Sequence, residues 1–215
     1  RHKKWPDRVG FPADPRTLRP MAQASSHAQL DALSQAYAEV AERFTALDAR
    51  VRDSQWAARP ATNEWSVAEC VAHLNLTSAA MLPRLKAAYD EARQLPPMGP
   101  RELKGAVFGR LLARMVGPVP VVLGIRLGRT KTAAAFVPGS DLPRAQVVAE
   151  FRRWQSEELA MVWRAVGLPL DQVMVESPFV AGARYDAYSA LWILVRQALR
   201  HVVQAERALA RVEAR

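Results

Sequence analysis

The 215-residue chain is predicted to be all-α, a four-helix bundle with a long crossover connection between its second and third helices. Helix-favouring alanine, leucine, arginine and glutamate dominate the sequence, whereas glycine occurs only 10 times. Apolar residues recur every three or four positions in four long stretches, and no stretch of strand length alternates apolar and polar residues. Since 50% of the residues are hydrophobic, the chain is long enough to bury one substantial core.

The first predicted helix begins near Ser25 or Ser26, either of which can cap it, and ends at about Asp53. Residues 1–22, which precede the apolar pattern, are expected to form a flexible arm because they hold four prolines and scattered charges. Two origins of residues 1–20 remain open. Met21 is the true initiator and the residues before it are an upstream read-through, or these residues are a genuine flexible extension. The apolar stripe of this helix comprises Leu30, Leu33, Tyr37, Val40, Ala41, Phe44, Leu47 and Val51.

The second predicted helix has the clearest start in the chain and covers residues 66–93. Ser66 and Glu69 have the spacing of a capping box, in which each side chain binds the backbone N–H of the other residue. Trp65 precedes the cap and can pack against Cys70 as a hydrophobic staple. Pro83 falls inside the helix and is expected to kink or interrupt it.

A long connecting segment, residues 94–140, follows the second helix. It contains a short basic amphipathic helix at residues 102–116, followed by an apolar run too short to span a membrane. The helix is interpreted as a flap over the bundle core, and a membrane-surface helix is the alternative. A connection of this length also allows the second and third helices to run parallel. The large apolar residues on one side of the short helix are Val107, Phe108, Leu111, Leu112 and Met115.

The third helix is expected to be capped by Asp141 and to end at Gly167, with Glu157 and Glu158 as solvated residues. The fourth helix is expected at residues 185–212. Together with the preceding elements, residues 23–215 are predicted to form a single domain.

The formal charge of +9 is concentrated in two segments. Residues 1–20 carry six Lys/Arg against two Asp/Glu, and residues 96–132 carry seven against one, so the helical body is nearly neutral. A nucleic-acid binder presents its basic residues on a folded face, so this distribution favours solvation of irregular segments over a nucleic acid or an anionic membrane. No nucleic-acid partner and no transmembrane segment are expected, and the sequence leaves a homodimer open.

The single cysteine, Cys70, excludes an internal disulfide and fits a reducing compartment, so a cytoplasmic location is expected. Cys70 lies one turn before His73 and could act as a soft metal ligand or a nucleophile. The favoured interpretation is a small apolar residue that completes the staple with Trp65.

Two segments resemble the DinB/YfiT-like superfamily of metalloenzymes. The second helix begins with NEWSVAECVAHL at residues 63–74, which is similar to the second-helix motif of the family. The last helix contains YSALWILVRQALRHVVQAE at residues 188–206, which is similar to the family's last helix. The resemblance covers residues 25–212 and implies the four-helix bundle fold.

The resemblance also implies a metal site with three histidines, one from the second helix and two from an H-x-x-x-H motif on the fourth. His73 and His201 match two of these positions, whereas Gln197 stands where the third histidine belongs. Gln197 and His201 are four residues apart and share a helix face. An amide oxygen is a weaker ligand than imidazole for zinc or nickel, so a divalent metal at this site would be held less tightly.

The resemblance implies a divalent-metal-dependent transferase or hydrolase, and members of the wider superfamily transfer thiols such as bacillithiol or mycothiol. The metal would bind and deprotonate a thiol or water. The alternative is a non-catalytic bundle in which Gln197 hydrogen-bonds the imidazoles and the domain binds a ligand or a protein. Metal content separates the two alternatives.

Overall fold

The structure is a computed structural model that describes residues 24–97, 99, 101–117, 121–122, 125–126 and 132–215. The expected arm, residues 1–22, lies outside the described residues. The all-α prediction is confirmed, because strands in the described part of the chain are limited to two small hairpins. The elements are α1 (Ala24–Arg50), α2 (Asp53–Trp56), α3 (Val67–Ala92), α4 (Val107–Val116), β1 (Val121–Val122), β2 (Ile125–Arg126), a 3₁₀ helix (Ala134–Phe136), α5 (Arg144–Arg164), β3 (Met174–Glu176), β4 (Arg184–Asp186) and α6 (Ala187–Glu213).

Four long helices surround the core, with α1 packed on α6, α6 on α3, α3 on α5 and α5 on α1. The first and last of them run parallel, because an ion pair of 2.6 Å joins Arg43 to Glu206 and another of 3.1 Å joins Arg50 to Glu213. Their inward faces supply a continuous apolar core. No helix among the described residues is long and apolar enough to cross a membrane.

Helices α3 and α5 also run parallel. The side-chain amide of Asn75 donates to the carbonyl of Val147 at 3.0 Å, and further along both helices the Tyr89 hydroxyl donates to the carbonyl of Met161 at 2.8 Å. Two consecutive long helices can run parallel only if the chain returns to the first end between them. The long connection expected from the sequence makes this return.

The start of α3 agrees with the prediction. The amide N–H of Glu69 donates to Ser66 Oγ at 3.2 Å, and the N–H of Ser66 donates to Glu69 Oε2 at 2.9 Å. Arg59 adds a hydrogen bond from Nε to Glu69 Oε2 at 2.9 Å. The expectation that Pro83 interrupts the helix is wrong, since α3 continues through it. Pro83 and Ala79 are both exposed, so water can bind the carbonyl that the proline leaves unpaired.

The third predicted helix, α5, starts later than expected, and Asp141 does not cap it. Helix α5 begins at Arg144 after Pro143, and no side chain caps it. A residue before proline avoids the helical region, so Leu142 cannot join a helix begun by Asp141. The fourth predicted helix, α6, has a cap that the sequence analysis missed. Asp186 is that cap, and its Oδ1 accepts from the N–H of Ser189 at 2.7 Å.

Helix α4 lies on α6 with its small residues inward. Gly109 and Ala113 are buried, whereas Phe108 and Leu111 are exposed. The expectation that the large apolar face of this helix covers the bundle core is therefore wrong. Close packing decided the outcome, because a Cβ atom at Gly109 would lie only 2.5 Å from the side chain of Ser189.

Glu158 was expected to be solvated, and the structure buries it. Its side chain is 1% exposed, and Gln155 Nε2 donates to its Oε2 at 3.2 Å. Burial raises the pKa of the Glu158 carboxyl to about 7, although the hydrogen bond from Gln155 opposes that rise. A signal was available in the sequence, because Glu158 lies seven residues after Phe151 and thus on the same face of α5.

The Glu158→Gln variant should be more stable than the parent above neutral pH. Folding raises the pKa of Glu158 from 4.5 to about 7, so the folded state binds the extra proton, and stability falls as the pH rises through this window. Between pH 4.5 and pH 7 the free energy of unfolding should decrease by a value on the order of 3 kcal/mol, by linkage. Thermal unfolding from pH 5 to pH 8 should show this loss in the parent and a flatter profile in the variant.

Glu157→Gln is the matched control for this experiment. The ion pair with Lys86 lowers the pKa of Glu157, so its removal should not stabilise the protein above neutral pH. Identical pH profiles for the parent and Glu158→Gln would contradict the assignment of a neutral, buried carboxyl.

Candidate functional site

His73 is the most firmly placed residue of the candidate site. It lies in the second turn of α3, and its side chain is 4% exposed. Its Nδ1 is 2.7 Å from the backbone carbonyl oxygen of Phe136, in the 3₁₀ helix that precedes α5. A carbonyl can only accept, so Nδ1 carries the proton, and Nε2 presents a lone pair on the opposite side of the ring. The structure therefore fixes both the position and the tautomer of His73.

Gln197 faces that lone pair from α6. Its Nε2 lies 3.2 Å from His73 Nε2, so the amide N–H donates to the imidazole. This hydrogen bond joins α3 and α6, the two helices that the sequence analysis expected to supply the site. The neighbourhood of His73 is thus polar on both ring edges although the residue is buried.

His201 lies one turn further along α6, as expected from its spacing to Gln197. The ring centroids of His73 and His201 are 4.4 Å apart and their planes are tilted by 58°. Within the described part of the chain, the buried Nδ1 of His201 has no hydrogen-bond partner. The structure therefore brings together all three residues that were predicted to form the site.

Trp65 closes one side of the imidazole pair. Its ring centroid is 5.0 Å from that of His73 and 5.8 Å from that of His201. The sequence predicted Trp65 only as a staple residue. Its position one residue before the Ser66 cap, two turns from His73, was the signal that could have linked it to the site.

The electrostatic environment keeps both histidines neutral. Burial lowers the pKa of His73, and the positive charge of Arg200 lowers it further, while the hydrogen bond to Phe136 opposes the change. Burial also holds the pKa of His201 well below its ordinary value, with added repulsion from His73 and Arg200. Neutral imidazoles can coordinate a metal at neutral pH without first losing a proton.

Cys70 lies in the apolar core. It is fully buried, and burial, followed by the negative charge of Glu69, raises the pKa of its thiol. A thiol held in its neutral form is a poor ligand and a poor nucleophile. This agrees with the interpretation of Cys70 as a small apolar residue.

The nitrogens of His73 and His201 and the amide oxygen of Gln197 are chemically suited to bind a divalent metal ion weakly. Imidazole suits zinc and nickel, and a ligating histidine commonly donates its other ring N–H to a backbone carbonyl, as His73 does to Phe136. The unpartnered nitrogen of His201 is a second available donor. Gln197 can add only a neutral amide oxygen. Among the described residues, no group of three His, Cys, Asp or Glu side chains could hold an ion, so any site here depends on Gln197 or on water.

Phe136 and Arg200 were missed by the sequence analysis. Phe136 acts through its backbone carbonyl, which every residue carries, so no sequence signal could have identified it. Arg200 immediately precedes His201, and its charge acts on both imidazoles.

A sequence model of the DinB superfamily matches residues 32–205, a range that contains His73, Gln197 and His201. No curated protein and no solved structure is significantly similar to the chain.

Both histidines should titrate below the ordinary imidazole pKa of 6.5, and His73 should be protonated at Nδ1. Because folding lowers these pKa values, the unfolded state binds more protons than the folded state below pH 6.5. The free energy of unfolding is therefore highest above pH 6.5 and decreases as the pH falls below it. Nitrogen-15 and proton NMR of histidine-labelled protein reports both the tautomer and the titration. A His73 signal that titrates at or above pH 6.5, or a proton on Nε2, would contradict the geometry.

Proposed function

The chain belongs to the DinB superfamily, and from that premise we propose that it is a divalent-metal-dependent enzyme of the transferase or hydrolase class. His73 and His201 hold the ion in this proposal. The observation that carries it is the hydrogen bond from His73 Nδ1 to the carbonyl of Phe136, which aims the Nε2 lone pair toward α6 beside a second neutral imidazole. This is the arrangement that a ligating histidine needs.

Gln197 has two roles open to it at such a site. Its amide oxygen can serve as a third, weak ligand, or its N–H can donate to a water or substrate atom bound beside the imidazoles. Trp65 covers the pair on one side, which limits the access of bulk water. When bound, zinc or nickel would supply a nucleophile by lowering the pKa of a thiol or water.

Arg200 suggests the charge of the substrate. Its positive charge contributes to the lowered pKa of both histidines, so its electrostatic field reaches the imidazole pair. The same charge weakens the attraction for a cation and favours an anionic group. A small thiol that reacts as its thiolate fits these two conditions, and we place such an activity in the cytoplasm, where thiols remain reduced.

A second candidate function is favoured by a different observation. The hydrogen bond of 3.2 Å from Gln197 to His73 occupies the lone pair that a metal would use. In this alternative the pair of helices is held by a polar network, and the domain is a non-catalytic bundle that binds a ligand or protein. Metal binding distinguishes the two functions.

We expect Gln197→His to bind zinc or nickel at least about tenfold more tightly than the parent, because imidazole is a better ligand than an amide for these ions. Position 197 already faces His73, so the new imidazole enters the existing site. His73→Ala in the same background should abolish the gain. Calorimetric titration of the three proteins gives the affinities.

Arg207→His provides the control, since it adds a histidine at an exposed position on α6. It should leave the affinity unchanged. If the parent and Gln197→His bind zinc and nickel equally, the three side chains do not converge on an ion, and the metal-dependent function is wrong.

The parent protein should contain about one divalent ion per chain after expression in metal-replete medium, because its two imidazoles are neutral and preoriented. Elemental analysis after rapid desalting measures this content, because extensive dialysis would remove an ion from a weak site, and the His73→Ala variant should lose it. A metal-free parent that folds normally would instead support the non-catalytic bundle.

A further inference from the structure

The outward face of α4 is large, apolar and exposed. Val107 is 74% exposed and Met115 is 61% exposed, and Phe108 and Leu111 are also exposed. These four residues recur at helical spacing and form one continuous strip along the helix. We call this strip the α4 strip. Exposing so many large apolar side chains on one helix is costly in water and marks an interaction surface.

The packing of α4 fixes the strip in its outward orientation. A Cβ atom at Gly109 would lie 2.5 Å from the Ser189 side chain and 3.2 Å from Tyr185 Cβ, and one at Gly105 would lie 2.8 Å from Ser189 Oγ. The backbone N–H of Ala106, just before the helix, donates to Asp186 Oδ2 at 2.7 Å. Rotating the helix to bury its large residues would break both the close approach and this hydrogen bond.

Positive charge borders the strip. Arg110 and Arg114 are exposed on α4, and with about 100° of rotation per residue they lie along one edge of the strip. Lys104 is exposed just upstream, and α4 itself carries no acidic residue. Beside the C-terminal end of α4, Arg196 lies near Gly117 and stacks over the ring of Trp192 at 5.3 Å.

We propose that the α4 strip docks on the surface of an anionic lipid bilayer. In this arrangement the apolar side chains enter the boundary between headgroups and acyl chains, and Arg110 and Arg114 remain at the level of the lipid phosphates. Trp192 and Arg196 beside the helix are residue types suited to the same interface. The binding is peripheral and independent of the metal site.

Charge and area favour a bilayer over a second copy of this chain. An antiparallel two-fold contact through the strip would bring Arg110 and Arg114 of each copy to the same edge as those of the other, which is repulsive, and α4 offers no acidic residue to pair with them in a parallel contact. One ten-residue helix also offers less surface than the roughly 800 Å² per partner of a typical stable interface. An anionic surface complements the arginines and accepts a narrow strip.

Vesicle sedimentation with the full chain tests the proposal, with vesicles of phosphatidylcholine alone or with about 30% phosphatidylserine. The parent should bind the serine-containing vesicles at least about tenfold more strongly, since these arginines attract anionic lipid. Phe108→Ser with Leu111→Ser should lower that binding at least about tenfold. Arg110→Gln with Arg114→Gln should lower it about 25-fold, at roughly fivefold per arginine.

Matched controls separate the strip from bulk charge and bulk hydrophobicity. Trp163→Ser removes an aromatic residue that is 60% exposed on α5, and Arg164→Gln with Arg207→Gln removes two exposed arginines elsewhere. Both should bind vesicles within about twofold of the parent. Circular dichroism should be the same for all variants, since the changed side chains are exposed.

Three results would overturn the proposal. The first is a parent that does not bind the anionic vesicles. The second is an arginine control that loses as much binding as Arg110→Gln with Arg114→Gln. The third is a dimer, measured by light scattering, that Phe108→Ser with Leu111→Ser dissociates in the absence of vesicle binding, which would assign the strip to a second copy.

Discussion

The reciprocal hydrogen bonds between Ser66 and Glu69 determine where α3 begins, and the rest of the structure depends on that position. A helix shifted by one residue would rotate every side chain by about 100°. His73 would then leave the carbonyl of Phe136, and Asn75 would leave that of Val147. Arg59 strengthens the cap through its ion pair with Glu69, and together these hydrogen bonds and the ion pair outweigh the effect of burial and lower the pKa of Glu69.

Two features near the imidazole pair would oppose a bound metal ion, the hydrogen bond from Gln197 to His73 and the positive charge of Arg200. The hydrogen bond from Gln197 to His73 is worth about 1 kcal/mol net, as is usual for neutral groups. Breaking this hydrogen bond to free the His73 lone pair would weaken binding of a metal ion by roughly fivefold. In the proposed site Gln197 would offer an amide oxygen, a weaker ligand than imidazole, and the positive charge of Arg200 would oppose a bound cation.

Two departures from local rules have the same origin. Glu158 is an ionisable residue placed in the core, and α4 is an amphipathic helix placed with most of its large apolar residues in solvent. In both cases the fit between helices decided the outcome. A carboxyl that prefers water is buried, and apolar side chains that prefer the interior are exposed. Glu158 occupies the core position that its spacing from Phe151 dictates, and Gly109 allows α4 to approach Ser189 more closely than any larger residue could.

The sequence by itself determined most of the helices and the Ser66 cap, because these follow from periodicity and capping chemistry. The grouping of His73, Gln197 and His201 came from the resemblance to a known family, since spacing within one helix relates only Gln197 to His201. Only the tertiary structure decided that Phe136 orients His73, that Trp65 covers both imidazoles and that the large apolar residues of the α4 strip face outward. These outcomes depend on backbone carbonyls, on steric fit between helices and on contacts between residues distant in sequence. Hydrophobic periodicity records which side of a helix is apolar, but the side that is buried is set by how closely two backbones can approach.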